Sequence, residues 1–248
     1  MPLIIVLFIG KSIIALGRIF LMGIFIDLEG LDGSGKTTQT ELICKRLEAD
    51  GIDYKRIKLP DYDSDSSILV RKYLAGDFGK NAGDVNAYAA SVLYAADRFA
   101  SFTEKWGQSY KSGKLIFADR YTPANAIYQM TKLNKADWDS YLEWLFDFEY
   151  NKIGIPAPDK VIFLDMPVDV SQRLMTSRYN GDETKKDVHE ANVEFLNACR
   201  EAALYAAAKY DWVVVCCAEN GEPLPIEVIN DKVYSILKST LKEKGFYA

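Results

Sequence analysis

The residues best suited to chemistry are Gly30, Gly35, Lys36 and Thr37, spaced as G-x-x-x-x-G-K-[ST], a phosphate-binding loop. Glycines in such a loop let the backbone curl until successive N–H groups point inward at phosphate oxygens. A helix starting there adds its positive end. Lys36 would set a point charge at the β- and γ-phosphates, and Thr37 would offer its hydroxyl to magnesium. Gly30, Asp32, Gly33, Ser34, Gly35, Lys36, Thr37 and Thr38 are therefore the residues expected to meet a nucleoside triphosphate. A second polar group, Asp119 and Arg120, follows the short apolar run 114–118. An aspartate there can hold a magnesium water or orient an acceptor oxygen, and an arginine can neutralise a phosphate. Tyr94 and Arg98 lie one helical turn apart, so an aromatic face and a guanidinium could together hold a planar ring.

These groups need a frame. Residues 23–29 are β-prone, and 38–47 carry apolar residues at helical spacing, so strand, loop and helix succeed one another as the motif requires. The first helix is expected to run to about Asp50, closed by Gly51. Further strands are expected at 54–59, 114–118, 161–165 and 212–217, with helices at 68–74, 84–111, 123–130, 135–152, 168–177, 188–210 and 226–242. The long helix 84–111 shows Val85, Ala89, Val92, Leu93, Ala96, Phe99 and Ala100 as its apparent core face. Strands alternating with helices imply the α/β class: a single P-loop domain with a five-stranded parallel sheet, helices on both faces and a small lid at about 178–187.

The chain has 248 residues and a formal net charge of -5, which disfavours coating a nucleic-acid polymer. Its cysteines, Cys44, Cys199, Cys216 and Cys217, form no C-x-x-C pair, and there is one histidine, so zinc is poorly supported. They read as reduced packing residues of a cytoplasmic protein. Residues 1–22 form an apolar leader before the domain at 23–248. Lys11 interrupts any bilayer-length run, so stable membrane association is not expected. The leader reads as translated upstream sequence before a natural start at Met22, the alternatives being an amphipathic or packed extra helix.

From Gly23 to Leu241 the sequence resembles the thymidylate kinase family of P-loop enzymes, which phosphorylate dTMP. The resemblance is carried by residues 29–39, by Leu59 and Pro60, by 94–98, by Asp119, Arg120 and Tyr121 with 125–129, and by 158–165. It implies ATP as phosphoryl donor, Mg2+, and a homodimer. It implies that Asp32 approaches the sugar 3′-hydroxyl, that Tyr94 stacks on thymine, and that Arg98 reaches the thymine edge. Arg120 would hold the acceptor phosphate, Asn125 would face the pyrimidine, Tyr128 would lie beneath the deoxyribose, and Leu59 would sit near the base. Thr37 and Asp119 would serve the metal.

The chain also departs from the family. An arginine common after the proline is replaced by Asp61 and Tyr62, with Arg71 or Lys58 as possible substitutes. Leu31, Gly33 and Ser34 bring no charge into the loop, so the catalytic arginine should come from the lid: Arg178 first, then Arg173, with Lys185 and Lys186 as further candidates. Asp97 stands where asparagine is common. The alternatives left open are a deoxynucleoside kinase, another pyrimidine monophosphate kinase, and a nucleotide-binding regulatory protein without catalysis.

Overall fold

The computed structural model describes residues 6–9, 12–15, 22–79, 83–178 and 192–246. Two short strands come first, β1 (Val6–Ile9) and β2 (Ser12–Ala15), paired antiparallel. The leader alternatives placed a helix here; over these two segments the chain is extended instead, in keeping with its β-branched Val6, Ile9, Ile13 and Ile14. The rest of the leader up to Leu21 lies outside the described residues.

The domain is built on β3 (Phe25–Gly30), whose six residues are all buried. The loop then leads into α1 (Lys36–Ala49), followed by β4 (Tyr54–Lys58) and α2 (Ile68–Leu74). After α3 (Ala87–Ser101) and α4 (Gly107–Lys111) the chain returns in β5 (Leu115–Asp119). Next come α5 (Pro123–Tyr128), α6 (Trp138–Phe146), β6 (Lys160–Asp165) and α7 (Val168–Arg178). The chain ends with α8 (Val193–Lys209), β7 (Val213–Cys216), a two-residue-per-strand hairpin of β8 (Ala218–Glu219) and β9 (Glu222–Pro223), and α9 (Ile226–Glu243).

The main sheet has five strands in the order β4-β5-β3-β6-β7, and every neighbouring pair is parallel. This is the expected sheet. Its inner strands are apolar runs because both faces are covered. Ile26 and Leu28 pack with Ile43 and Leu47 of α1 and Val233 and Leu237 of α9. Phe25, Ile116 and Ala118 face the other way, toward Trp106 and Tyr121. A third cluster joins Phe163 of β6 to α5, α6 and α8. Parallel strands bring all their carboxyl ends to one edge, where Gly30, Lys58, Asp119 and Asp165 emerge together.

Two expectations about helices are corrected. The stretch 84–111 is interrupted at Phe102–Trp106 by a π-helical turn, and the stretch 135–152 ends in a second one at Asp147–Ile153. Such widened turns rotate the faces on either side of them. The expected core face of the long helix is also the wrong one. The structure buries Ala87, Ala90, Ser91, Ala95, Asp97, Arg98 and Ser101, while Ala89, Val92, Ala96 and Phe99 are exposed and Val85, Leu93 and Ala100 are half-buried. The inward face can be polar because Ser91, Asp97 and Arg98 find hydrogen-bond partners there in Tyr141, in Asp61 with Ser66, and in Glu149. The lid expected at about 178–187, with Lys185 and Lys186, lies outside the described residues except for the backbone of Arg178.

Candidate active site

The cradle forms where β3 turns into α1. Gly33 and Gly35 have φ of 75° and 85°, a region that side chains with a Cβ rarely enter. At Gly33 a Cβ would also press within 3.0 Å of Ser171 and Met175 on α7. Gly35 serves as the N-cap of α1 without any capping side chain, so the first N–H groups of that helix are left for an anion. Ser34 is buried with its hydroxyl lacking a hydrogen-bond partner among the described residues. Thr37 and Thr38 are exposed on the first turn of α1.

Lys36 Nζ lies 2.7 Å from Oδ1 of Asp119, which is only 1% exposed. The strand-end aspartate thus holds the loop lysine at the mouth of the cradle. The other oxygen of Asp119 makes no hydrogen bond among the described residues and stands 3.9 Å from Arg56 on β4. Behind this pair sit two further carboxyls. Asp27 and Glu29 alternate with Ile26 and Leu28 along β3, so both face the side opposite α1. Glu29 accepts the Tyr121 N–H at 2.9 Å, while its second oxygen and both oxygens of Asp27 are unpaired among the described residues. Burial pushes Glu29 up to about 7, against the pull of Arg120, and burial with the nearby Glu29 raises Asp27 well above the carboxylate range.

Arg120 follows β5 with φ of 78°, an uncommon left-handed conformation for a non-glycine residue. That turn sends its side chain back over the cradle. Nη2 donates to Tyr128 Oη at 3.2 Å and reaches Asp32 Oδ1 at 3.4 Å, and the guanidinium lies 4.9 Å from the centre of the Tyr128 ring. Burial opposes its charge, but Tyr128, Asp32, Glu29 and Asp119 more than offset that and keep it cationic. Asp32, Arg120 and Tyr128, chosen from separate parts of the sequence, therefore meet at one point beside Lys36 and Asp119.

The remaining acceptor-side residues are divided. Tyr94 sits half-buried on α3 with its ring edge-on to Tyr73, centroids 6.1 Å apart. Asn125 is buried and donates to the Ser91 carbonyl at 3.4 Å. Leu59 packs into the core with Ile57 and Trp106 rather than facing an open cleft. Arg98 is 3% exposed, and its Nε and Nη2 each lie 2.6 Å from a Glu149 oxygen, a two-pronged pair that Thr122 completes at 2.8 Å. A guanidinium so engaged keeps the two hydrogens of Nη1 and one of Nη2 for a base edge. The sequence reading missed Glu149, because nothing local marks it. It also missed Lys132, whose ammonium donates to Tyr73 Oη at 2.7 Å and the Val85 carbonyl at 2.9 Å. Burial pulls Lys132 down to about 8.

The candidate substitutes and Arg173 fall elsewhere. Arg71 is bound to the loop before α2, and Lys58 is exposed on the edge strand. Arg173 bonds to the Gly221 carbonyl and approaches Glu222 at the β8–β9 hairpin, not the cradle. The side chain of Arg178 lies outside the described residues. For magnesium the donors are of the right kind, the exposed Thr37 hydroxyl and the second oxygen of Asp119, which lacks a hydrogen bond among the described residues. No cluster of three His, Cys, Asp or Glu side chains suited to a metal occurs among the described residues. A magnesium ion that takes one or two protein oxygens and completes its shell with water and phosphate needs none.

Residues 28–228 match the family described as Thymidylate kinase. A probable thymidylate kinase from Thermococcus gammatolerans is 31% identical over 203 residues, covering 81% of this chain and 90% of its own length. A thymidylate kinase from Halothermothrix orenii is 31% identical over 209 residues, covering 83% and 94%. One from Mycobacterium tuberculosis is 27% identical over 183 residues, covering 73% and 83%.

Proposed function

The chain belongs to the thymidylate kinase family, and on that premise we propose how its residues carry the γ-phosphoryl of ATP onto the phosphate of dTMP, giving ADP and dTDP. The acceptor phosphate is already a competent nucleophile, so no strong general base is needed. The protein's task is to bring two anions together and balance the charge spread over the transferred group. The backbone amides from Gly33 to Lys36 cradle the donor phosphates. Lys36 exchanges Asp119 for the β- and γ-phosphates when the donor arrives. Arg120 grips the acceptor phosphate, Asp32 meets the sugar hydroxyl, and Tyr128 fills the space beneath the sugar.

One observation carries this reading: Arg120 leans over the phosphate-binding loop and touches its Asp32 at 3.4 Å. A cation in that place sets an acceptor anion directly against the donor cradle. Magnesium, held by Thr37 and Asp119, would neutralise the donor phosphates. Arg178 of the proposed lid would supply a closing charge. Arg98 and Asn125 would line the base side, with Tyr94 stacking on the ring.

We further propose a homodimer formed through α3. Ala89, Val92, Ala96 and Phe99 line an exposed apolar stripe there. We place the protein in the cytoplasm on the family reading alone; among the described residues no helix is long and apolar enough to cross a membrane.

The test is an acceptor panel with ATP and magnesium: thymidine, dTMP, dUMP and dCMP in parallel. ADP release with dTMP, far above that with thymidine, is the expected result. Preference for thymidine would point to a nucleoside kinase, and tight nucleotide binding with no acceptor-dependent ADP release to a regulatory protein.

A further inference from the structure

Arg56 places a cation on β4 where the sheet meets α1. Parallel register sets it beside Phe117 of β5, so the two share a face. Phe117 packs in the cluster with Ile43 and Leu47 of α1, and Tyr54, two residues before Arg56, donates to Glu48 of α1 at 2.8 Å. That face therefore lies over α1. It is also the face of Asp119, two residues after Phe117. Arg56 runs along the sheet toward the strand end, where its Nη2 stops 3.9 Å from Oδ2 of Asp119. It makes no hydrogen bond among the described residues, and its side chain is 37% exposed, so it has room to close that gap.

Asp119 thus has two cations beside it and a hydrogen bond to one. Lys36 holds Oδ1 at 2.7 Å, while Oδ2 lacks a hydrogen bond among the described residues. When a donor phosphate draws Lys36 away, a buried carboxylate loses its counter-charge, and that cost opposes nucleotide binding. A guanidinium already waiting nearby offsets it by moving about 1 Å into a charge-assisted hydrogen bond. We propose that Arg56 is a positioning residue for the donor: it takes over Asp119 as Lys36 leaves, so the loop lysine reaches phosphate while the carboxylate stays neutralised. It acts through Asp119 and touches no substrate. This rests on the kinase reading above, in which Lys36 exchanges Asp119 for the donor phosphates.

The experiment measures ADP binding by titration calorimetry, with EDTA present so that no metal ion replaces the missing charge, and thermal unfolding without nucleotide. The proteins are the parent, Arg56→Gln, Arg56→Lys, Asp119→Asn and Arg56→Gln combined with Asp119→Asn. Arg56→Gln should weaken ADP by about tenfold. Its unfolding midpoint should move little, because Lys36 still pairs with Asp119 while no nucleotide is bound. Arg56→Lys should recover part of the affinity. With Asp119→Asn in place, Arg56→Gln should add nothing, since its effect passes through Asp119. Unchanged ADP affinity in Arg56→Gln overturns the proposal. So does an equal loss in the Asp119→Asn background, which would put Arg56 on the nucleotide itself. A large fall in the nucleotide-free midpoint overturns it too, by making Arg56 a structural residue. A parent protein that passes this test yet transfers no phosphoryl to dTMP refutes the kinase reading instead, so the two failures are distinct.

Discussion

Lys36 of the phosphate-binding loop and Asp119 at the end of β5 form a 2.7 Å ion pair across 83 residues of sequence. The pair stores the loop lysine beside the place where donor phosphate must arrive. It also means that each residue neutralises the other while no nucleotide is present.

Lys36→Ala should lower turnover by at least about 10²-fold, as removal of a preorganised charge does. It should also destabilise the nucleotide-free protein by about 3 kcal/mol, because buried Asp119 is left with only Arg56 at 3.9 Å. Adding Asp119→Asn should recover much of the stability but none of the turnover. Thermal unfolding and steady-state kinetics on the same preparations check both halves. Near-normal turnover by Lys36→Ala would refute the catalytic assignment.

Arg98→Ala should act on the fold before it acts on the substrate. Glu149 would lose both prongs of its partner while fully buried, at a cost of about 3–5 kcal/mol. Replacing both, Arg98→Met with Glu149→Leu, should restore most of the unfolding midpoint. KM for dTMP in that double variant then reports on the base edge alone, and a rise there without one for ATP is expected. An Arg98→Ala protein as stable as its parent would contradict the buried pair.

The carboxyls behind the site predict a pH slope. Glu29 is raised from 4.5 to about 7 and Asp27 is raised as well, so the folded state keeps protons that the unfolded chain gives up. Their contribution is full below the unfolded values and is lost as pH rises, for Glu29 between about 4.5 and 7. Denaturant midpoints across that window should show a shallower decline in Glu29→Gln than in the parent. Asp27→Val removes an unpaired buried carboxyl and a like-charged neighbour, and should add about 1–3 kcal/mol near neutral pH. A loss of stability there would mean that Asp27 has a partner.

The exposed stripe of α3 predicts an assembly. Val92 and Phe99 are 43% and 47% exposed, and Ala89 and Ala96 lie on the same surface. Analytical ultracentrifugation at micromolar concentration should find a dimer, and Val92→Asp with Phe99→Asp should find a monomer. A parent protein that sediments as a monomer would remove α3 as an interface.

Local information settled much of this in advance. Glycines and a lysine at fixed spacing, a β-prone run before them and a helical pattern after them marked the cradle here before any packing was known. Apolar runs bounded by turns give strands covered on both faces, hence the five-stranded parallel sheet with Asp119 and Arg120 at its carboxyl edge. What the sequence could not supply were partners and facing. Arg98 meets Glu149 across 51 positions, and Asp97 meets Ser66 across 31. Such pairs exist only once distant helices pack, and no local pattern encodes which ones do. The long helix shows the same limit, since apolar spacing marks a surface that leaves water without saying whether the core or a second molecule covers it. The tertiary structure turned the polar side of α3 inward because a buried carboxylate and an arginine with fixed partners can be satisfied there, and that left the apolar side outward.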